Sequence, residues 1–421
     1  MDKSQQLAAQ AISQVLGGRN LTQALESLWR LHPQLTPQQR AITQDLSYGV
    51  LRHYGQLQAV LEQLLERRLE DESVRCLLLA ALYQLEHGKA SAYAVVDHAV
   101  QAAVGMKKVW AKGLVNAVLR NFLRRREALL EAIVGNEVAR YSYPQWWIEK
   151  LRKDYPAEWV AILEAGNCHP PLTLRVNRRR NSSADYLHKL EELTIGAHPL
   201  GASAIMLDQP VPVEKLPGFL EGGVSVQDYG AQFAAELLDV HDGMRVLDAC
   251  CAPGGKTGHV LETADVAMTA VDSDEIRLAR TRSNLDRLGL SAKLVAGDSG
   301  NPDTWWDGQP FDRILADVPC SASGIVRRHV DIKWLRRESD LNSFTSQQTQ
   351  ILRGLWRTLA NGGKLLYVTC SIFIEENQRQ IDAFLAEQAD ARQLPLAGLR
   401  DGQLLPCADN DGFFYALLQK I

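Results

Sequence analysis

The sequence lacks any apolar run approaching the ~20 residues that a membrane-crossing helix needs. Its first residues, MDKSQQLAAQAISQVLGG, lack the unbroken apolar core of a secretory signal. Both absences lead us to expect a cytoplasmic chain with no membrane partner. Cysteines are few and scattered: Cys76, Cys168, Cys250, Cys251, Cys320, Cys370 and Cys407, with no C-x-x-C pair and no Cys/His cluster at zinc spacing. An odd count in a reducing compartment argues against a disulfide framework, and we expect no metal. An excess of one charge is lacking too. Lys and Arg number 46 against 50 Asp and Glu, for a net charge of −4, so the overall balance does not announce a nucleic-acid binder. Nucleotide-binding glycine fingerprints are also missing. The stretch DACCAPGGKT ends like a phosphate loop in Gly255-Lys256-Thr257, but Cys250 stands where the first glycine is required, and G-x-G-x-x-G does not occur there.

What is present is an ordinary globular composition, 46% hydrophobic and 23% charged, in 421 residues. At ~100–200 residues per domain, that length predicts two to four domains. Residues 1–138 read as an all-α bundle, with Ala8, Ile12, Val15 and Leu16 starting a stripe of helical period. A break at Tyr143-Pro144 opens a small α+β module over 139–235, in which PLTLRVNRRR and GGVSVQDYG read as strands. From 236 to 421, strands such as MRVLDA, VAMTAVD, AKLVAGD, FDRILAD and GKLLYVT alternate with helices. That alternation predicts a parallel, doubly wound α/β sheet of Rossmann-like type. Ligands of such sheets bind beyond the carboxyl ends of the strands. Asp248, Asp272, Asp298, Asp317 and Cys370 all fall at such ends.

These ends suggest a cofactor site. Gly254 and Gly255 permit close backbone approach, and the helix that follows favours an anionic group such as an amino-acid carboxylate. Asp272 stands where an acid meets ribose hydroxyls, and Asp298 where one accepts from an adenine amine. Together they suggest S-adenosyl-L-methionine, held by Cys250, Cys251, Ala252, Pro253, Gly254, Gly255, Lys256, Asp272, Asp298 and Asp317. The bland alternative, that each aspartate caps a turn, is the better reading of any one of them but not of the set. Basic runs at Arg120–Arg126, Arg175–Asn181 and Ile325–Arg337 suit RNA phosphates, with Arg175, Asn177, Arg327, Arg328 and Lys333 as candidate contacts. A solvated face is the usual fate of any single run. The thiols of Cys320 and Cys370 lie beside a carboxylate and a basic run, which suits a functional role; for either alone, a buried small hydrophobe is an equally good reading.

The segments LDACCAPGGKT, AVDSD, DVPCSASGIVRRH, DIKW, YVTCS, EEN and DGFFYA resemble the Sun/NOL family of RNA cytosine-5 methyltransferases. ALYQLEHGKASAYAVVDHAVQAA followed by KGLVNAVLRNFLRR resembles the NusB-like RNA-binding fold, which implies an RNA-binding role for the helical domain 1–138. The paired "PC" and "TC" cysteines are the most specific element. The resemblance implies a 16S rRNA methyltransferase acting at cytosine 967, on free RNA or an early assembly state, as a monomer. It implies Cys370 as the nucleophile that adds to C6, Asp317 as the acid serving N3, and Cys320 as the residue that assists product release. In DNA cytosine-5 methyltransferases the "PC" cysteine is itself the nucleophile. Rival readings are a cytosine-5 methyltransferase of tRNA or DNA and a non-catalytic RNA-binding assembly factor. Departures from the family pattern occur at Val318, where alanine is usual and a β-branched side chain is expected to crowd the cytosine pocket, and at Ser299-Gly300, Val330 and Ile374.

Overall fold

The computed structural model describes residues 1–396 and 398–421. They fall into two compact units, Met1–Cys168 with Val326–Glu338, and His169–Ile325 with Ser339–Ile421.

The first unit is helical. In its opening helix, Asp2–Leu16, the residues Leu7, Ala8, Ala11, Ile12 and Val15 are all buried, so the periodic stripe is the core-facing side. Helix Glu72–His87 runs through the centre, with Leu77 to Leu82 fully buried on every face. The Asp71 carboxylate caps it by accepting from the Ser73 and Val74 amides. Helices Ala92–Gly105 and Lys112–Ala132 complete one side. Residues 326–338 belong to this unit, although their neighbours in sequence on both sides belong to the other. Val330 is buried in the helical core, the Trp334 indole donates to the Leu51 carbonyl, and Asp331 accepts from the Leu21 amide.

The second unit carries two sheets. Strands β1 (Leu172–Val176), β2 (Ala197–Pro199), β3 (Ala204–Leu207) and β4 (Val224–Val226) form an antiparallel sheet in the order β2-β3-β1-β4. Leu174, Val176, Ile205 and Leu207 pack there against Tyr186 and Leu190 of helix Ser183–Glu192. The larger sheet contains β5 (Arg245–Ala249), β6 (Ala267–Asp272), β7 (Lys293–Ala296), β8 (Phe311–Asp317), β9 (Leu359–Thr369), β10 (Ala391–Leu394), β11 (Gln403–Leu404) and β12 (Phe413–Lys420). Its order is β10-β12-β9-β8-β5-β6-β7, with β11 also on β12. The five strands from β9 to β7 are parallel, as the alternation predicts. The antiparallel strands β10 to β12 were not anticipated.

Helices cover both faces of this sheet. Ile351, Leu352, Leu355, Ile381 and Phe384 pack on one side; Ala234, Val260 and Leu285 pack on the other. In register, Ala249 lies opposite Ala316 and Val271, and Asp317 opposite Val368. The strand ends are therefore level, and the chain order reverses between β5 and β8, which is where a doubly wound sheet opens a crevice. No helix among the described residues is long and apolar enough to cross a membrane.

Candidate active site

After β5 the chain turns through Cys250–Gly254 into helix Gly255–Thr263. Gly254 has φ +87°, and a Cβ there would lie 2.6 Å from Thr281 Cγ2, so the turn requires glycine. Asp272, at the end of β6, fastens this turn. Its Oδ2 accepts from the Ala252 amide at 3.0 Å and its Oδ1 from the Asp274 amide at 3.0 Å. A carboxylate has about four lone-pair sites, so two remain for ribose hydroxyls. Asp298 is exposed and accepts from the Gly300 amide at 2.8 Å. Asp248 is fully buried; its Oδ2 accepts from Thr257 Oγ1 at 2.5 Å, while Oδ1 has no hydrogen-bond partner among the described residues. Burial raises its carboxyl to about 7. Four acids around a glycine turn, counting Asp317, repel a polyphosphate. They suit a neutral ribose and adenine joined to a cationic sulfonium and ammonium, so the donor set fits S-adenosylmethionine. Cys250 and Cys251 contribute backbone to this turn, and burial pushes the Cys250 thiol up to about 12 and the Cys251 thiol upward too, keeping both protonated.

The Lys256 ammonium lies 2.7 Å from Asp317 Oδ2 and 5.3 Å from the centre of the Phe413 ring. Burial opposes its charge, but Asp317, with smaller contributions from Cys370 and Asp248, raises its pKa on balance. Beyond β8 and β9 the two cysteines converge, with Cys320 Sγ 3.5 Å from Cys370 Sγ and both free and half-buried. The hydrogen bond to the Cys370 sulfur, then burial, hold the Cys320 thiol well above its ordinary value. Adjacent β8 and β9 in parallel register account for the meeting of residues fifty apart in sequence.

A buried cluster fastens the two cysteine loops together. Glu376, fully buried, accepts from the Ser321 amide at 2.8 Å and Gln348 Nε2 at 3.1 Å through Oε1. Its Oε2 accepts from the Ser321 and Ser371 hydroxyls. Ser371 and Ser323 hydroxyls lie 2.9 Å apart, and Ser323 Oγ accepts from the Ile372 amide. Gln348 also donates to the Pro319 carbonyl at 2.9 Å. Asn377 holds the Ser371 carbonyl and the Thr369 hydroxyl. Sequence reasoning assigned none of these residues a role. The signal was present: serines directly follow both Cys320 and Cys370, and EEN lies five residues further on.

The structure thus brings the cofactor candidates together with Asp317, Cys320 and Cys370. It does not place the RNA candidates on the surface. Arg175 is fully buried and pairs with Glu262 through Nε at 2.9 Å and Nη2 at 2.7 Å, while Nη1 reaches Gln227 and the Gly255 carbonyl. It therefore braces the helix that follows the glycine turn, with four of its five N–H donors engaged inside the fold. Asn177 is buried and holds the Gly222 carbonyl. Arg327 is buried, and Arg328 is half-buried. Lys333 is buried in the helical unit, where its ammonium donates to the Arg52 carbonyl and Asn167 at 2.8 Å each and lies over the Tyr143 ring. Burial, then Arg52, push its pKa well below the usual lysine value. Arg175, Asn177 and Lys333 are interior struts, because arginine forks, asparagine amides and ammonium groups cap backbone carbonyls as readily as phosphates. Val318 is buried, as a member of the core cluster that also holds Ile351 and Leu352. Cys168 and Cys407 are exposed. Among the described residues no group of His, Cys, Asp or Glu could hold a metal ion.

Three family profiles match successive parts of the chain: the NusB family over residues 2–124, the ferredoxin-like domain of RsmF/B-like methyltransferases over 143–214, and 16S rRNA methyltransferase RsmB/F over 235–419. The chain is 43% identical over 424 residues to ribosomal RNA small subunit methyltransferase B of Serratia proteamaculans, covering 99% of this chain and 98% of that one. It is 45% identical over 427 residues to the protein of the same name in Pseudomonas putida, covering 98% of each. The crystal structure of PH0851 shares the fold with a TM-score of 0.81 at 23% identity, over 100% of this chain and 99% of that one.

Proposed function

Since this chain belongs to the RsmB/F family of 16S rRNA methyltransferases, we propose that it methylates C5 of a cytosine in 16S rRNA, position 967, using S-adenosylmethionine. The observation that carries this reading is the pair of sulfurs 3.5 Å apart beside the Lys256–Asp317 pair. C5 of cytosine is a poor nucleophile until a thiolate adds at C6. We assign that addition to Cys370, the cysteine to which the resemblance of its "TC" segment gives this role. Forming the S–C6 bond pushes electrons toward N3; in this reading the Asp317 carboxylate takes up the proton of the Lys256 ammonium that it pairs with and passes it to that nitrogen. The bound cofactor supplies the methyl group from its sulfonium. A base must then take the C5 proton, so that the C5–C6 double bond re-forms, the S–C6 bond breaks and the Cys370 sulfur departs as thiolate. Cys320, within reach of the sulfur that departs, assists that release. The target base must leave its stack to be attacked on its face, which favours a loop or incompletely folded rRNA.

Two variants test the assignment. Cys320→Ala, incubated with rRNA and cofactor, should accumulate a covalent protein–RNA adduct on a denaturing gel. Cys370→Ala should give neither adduct nor product. The reverse pattern would exchange the two roles, and 5-methylcytosine made by Cys370→Ala would refute the mechanism. Calorimetry with S-adenosylmethionine tests the cofactor, with Asp272→Ala expected to abolish measurable binding.

A further inference from the structure

We infer that Cys320 and Cys370 are also a redox-sensitive switch: a hydroperoxide closes them into a disulfide that halts methyl transfer, and a dithiol reopens it. The bond rests on geometry; its effect on catalysis rests on the reading above. The two sulfurs lie 3.5 Å apart, and both thiols are free and half-buried. A disulfide needs sulfurs at about 2.05 Å and α-carbons about 4.4–6.8 Å apart. The two cysteines follow neighbouring strands, β8 and β9, and adjacent strands run about 4.7–4.9 Å apart, inside that window. The pairing continues past the strand ends. The Val318 amide donates to the Val368 carbonyl at 3.1 Å, and the Gly324 amide to the Cys370 carbonyl at 2.9 Å. The Ser321 and Ser371 hydroxyls, each one residue beyond a cysteine, lie 3.1 Å apart and share the Glu376 carboxylate. The chain around each cysteine is thus already held against the other loop, and closing the bond is a matter of side-chain rotation rather than backbone movement.

An opening that admits a cytosine to Cys370 also admits a peroxide. The Cys370 sulfur attacks the peroxide: an S–O bond forms, the O–O bond breaks, and the thiol proton leaves with the departing oxygen, as water when the oxidant is hydrogen peroxide. Cys370 is then a sulfenic acid. The Cys320 sulfur attacks it in turn: the S–S bond forms, the S–O bond breaks, and the hydroxide leaves as water with the Cys320 proton. Two thiols have given two electrons to one peroxide. The oxidised pair lacks both the thiolate that adds to C6 and the thiol that assists release, so both steps stop together. The contact is protective as well, because a sulfenic acid captured by a neighbouring sulfur does not run on to the irreversible sulfinic acid. A dithiol restores the site: one of its sulfurs opens the bond as a mixed disulfide, and the second displaces the protein thiol.

The test uses the full chain carrying Cys168→Ser/Cys407→Ser, which removes the two exposed thiols and with them cross-links between molecules. The reduced protein is treated with hydrogen peroxide, alkylated while denatured and digested. Mass spectrometry should find the Cys320 and Cys370 peptides joined, with the loss of two hydrogens. Formation of 5-methylcytosine should fall at least about tenfold as the bond forms and return with dithiothreitol. Cys320→Ala in the same background should lose adduct formation irreversibly, because its Cys370 runs on to the sulfinic acid. Three results would overturn the inference: Cys370 recovered as sulfinic acid with no cross-link, a cross-link through Cys250 or Cys251 instead, or undiminished methylation by protein in which the bond has formed. If the bond forms and reverses in a protein that makes no 5-methylcytosine, the catalytic reading fails and the thiol–disulfide pair stands.

Discussion

Glu376 is the most informative residue to remove. Its carboxylate receives four donors: the Ser321 amide, the Ser321 and Ser371 hydroxyls and the Gln348 amide. Hydrogen bonds to a charged group are each worth about 1.5–3 kcal/mol, but the four do not simply add. After Glu376→Ala the serine hydroxyls still have each other, and Gln348 keeps the Pro319 carbonyl. The Ser321 amide loses its carboxylate acceptor, at about 1–3 kcal/mol, and a cavity opens where the side chain was. We expect a total loss near 4 kcal/mol, which for the second unit is a fall in Tm of about 8–16 °C. Glu376→Gln should lose only about 1–2 kcal/mol, because its carbonyl can face the Ser321 amide while its NH2 faces two hydroxyls that can accept. The assays are thermal melting by circular dichroism and adduct formation with rRNA at a temperature where both variants are folded. At that temperature the alanine protein should form adduct at least tenfold more slowly, since the loops carrying Cys320 and Cys370 are no longer fastened together; the glutamine protein should stay within a few-fold of wild type. An alanine variant that melts within about 1 kcal/mol of wild type, or that is folded and forms adduct at the wild-type rate, refutes the reasoning.

Arg175→Ala should cost about 3–5 kcal/mol by leaving the Glu262 charge buried and unpaired, and Arg175→Met/Glu262→Leu should recover most of it in melting experiments. The same single variant should weaken S-adenosylmethionine binding without touching it, because Arg175 holds the Gly255 carbonyl at the start of the helix after the glycine turn. Asp248, raised to about 7 in the folded chain against 3.8 ordinarily, binds its proton more tightly folded than unfolded. Its contribution to stability is therefore full below pH about 4, falls as the pH rises toward 7, and is flat above; Asp248→Asn should remove that slope from the pH dependence of Tm. Gly254→Ala should impair cofactor binding more than any alanine on the exposed face of the helix after it, since the methyl group meets Thr281 and φ is +87°.

Local pattern made much of the molecule legible. The helical stripe of Ala8, Ile12 and Val15, and the strand–helix alternation after residue 236, reappear as the helical core and the five parallel strands. The aspartates at strand ends and the two cysteines could be placed at one edge because parallel strands with level ends put their carboxyl termini together. Antiparallel β10 to β12 escaped, since short terminal strands such as Gln403–Leu404 carry too little periodicity to declare themselves. The excursion of residues 326–338 into the helical unit escaped because a run rich in Arg and Lys reads as a solvated surface, while its anchors are single apolar residues such as Val330.

By itself, then, the sequence determined the two kinds of architecture and the glycine turn, because periodicity and turn chemistry are local properties of the chain. Only the tertiary structure decided which charges are available and what holds the site. Arg175 and Lys333 look like phosphate ligands until Glu262 and the Arg52 carbonyl are found beside them, and Glu376 looks like any surface acid until four donors converge on it. The partner of a buried polar group comes from a distant part of the chain, and its identity follows from packing alone.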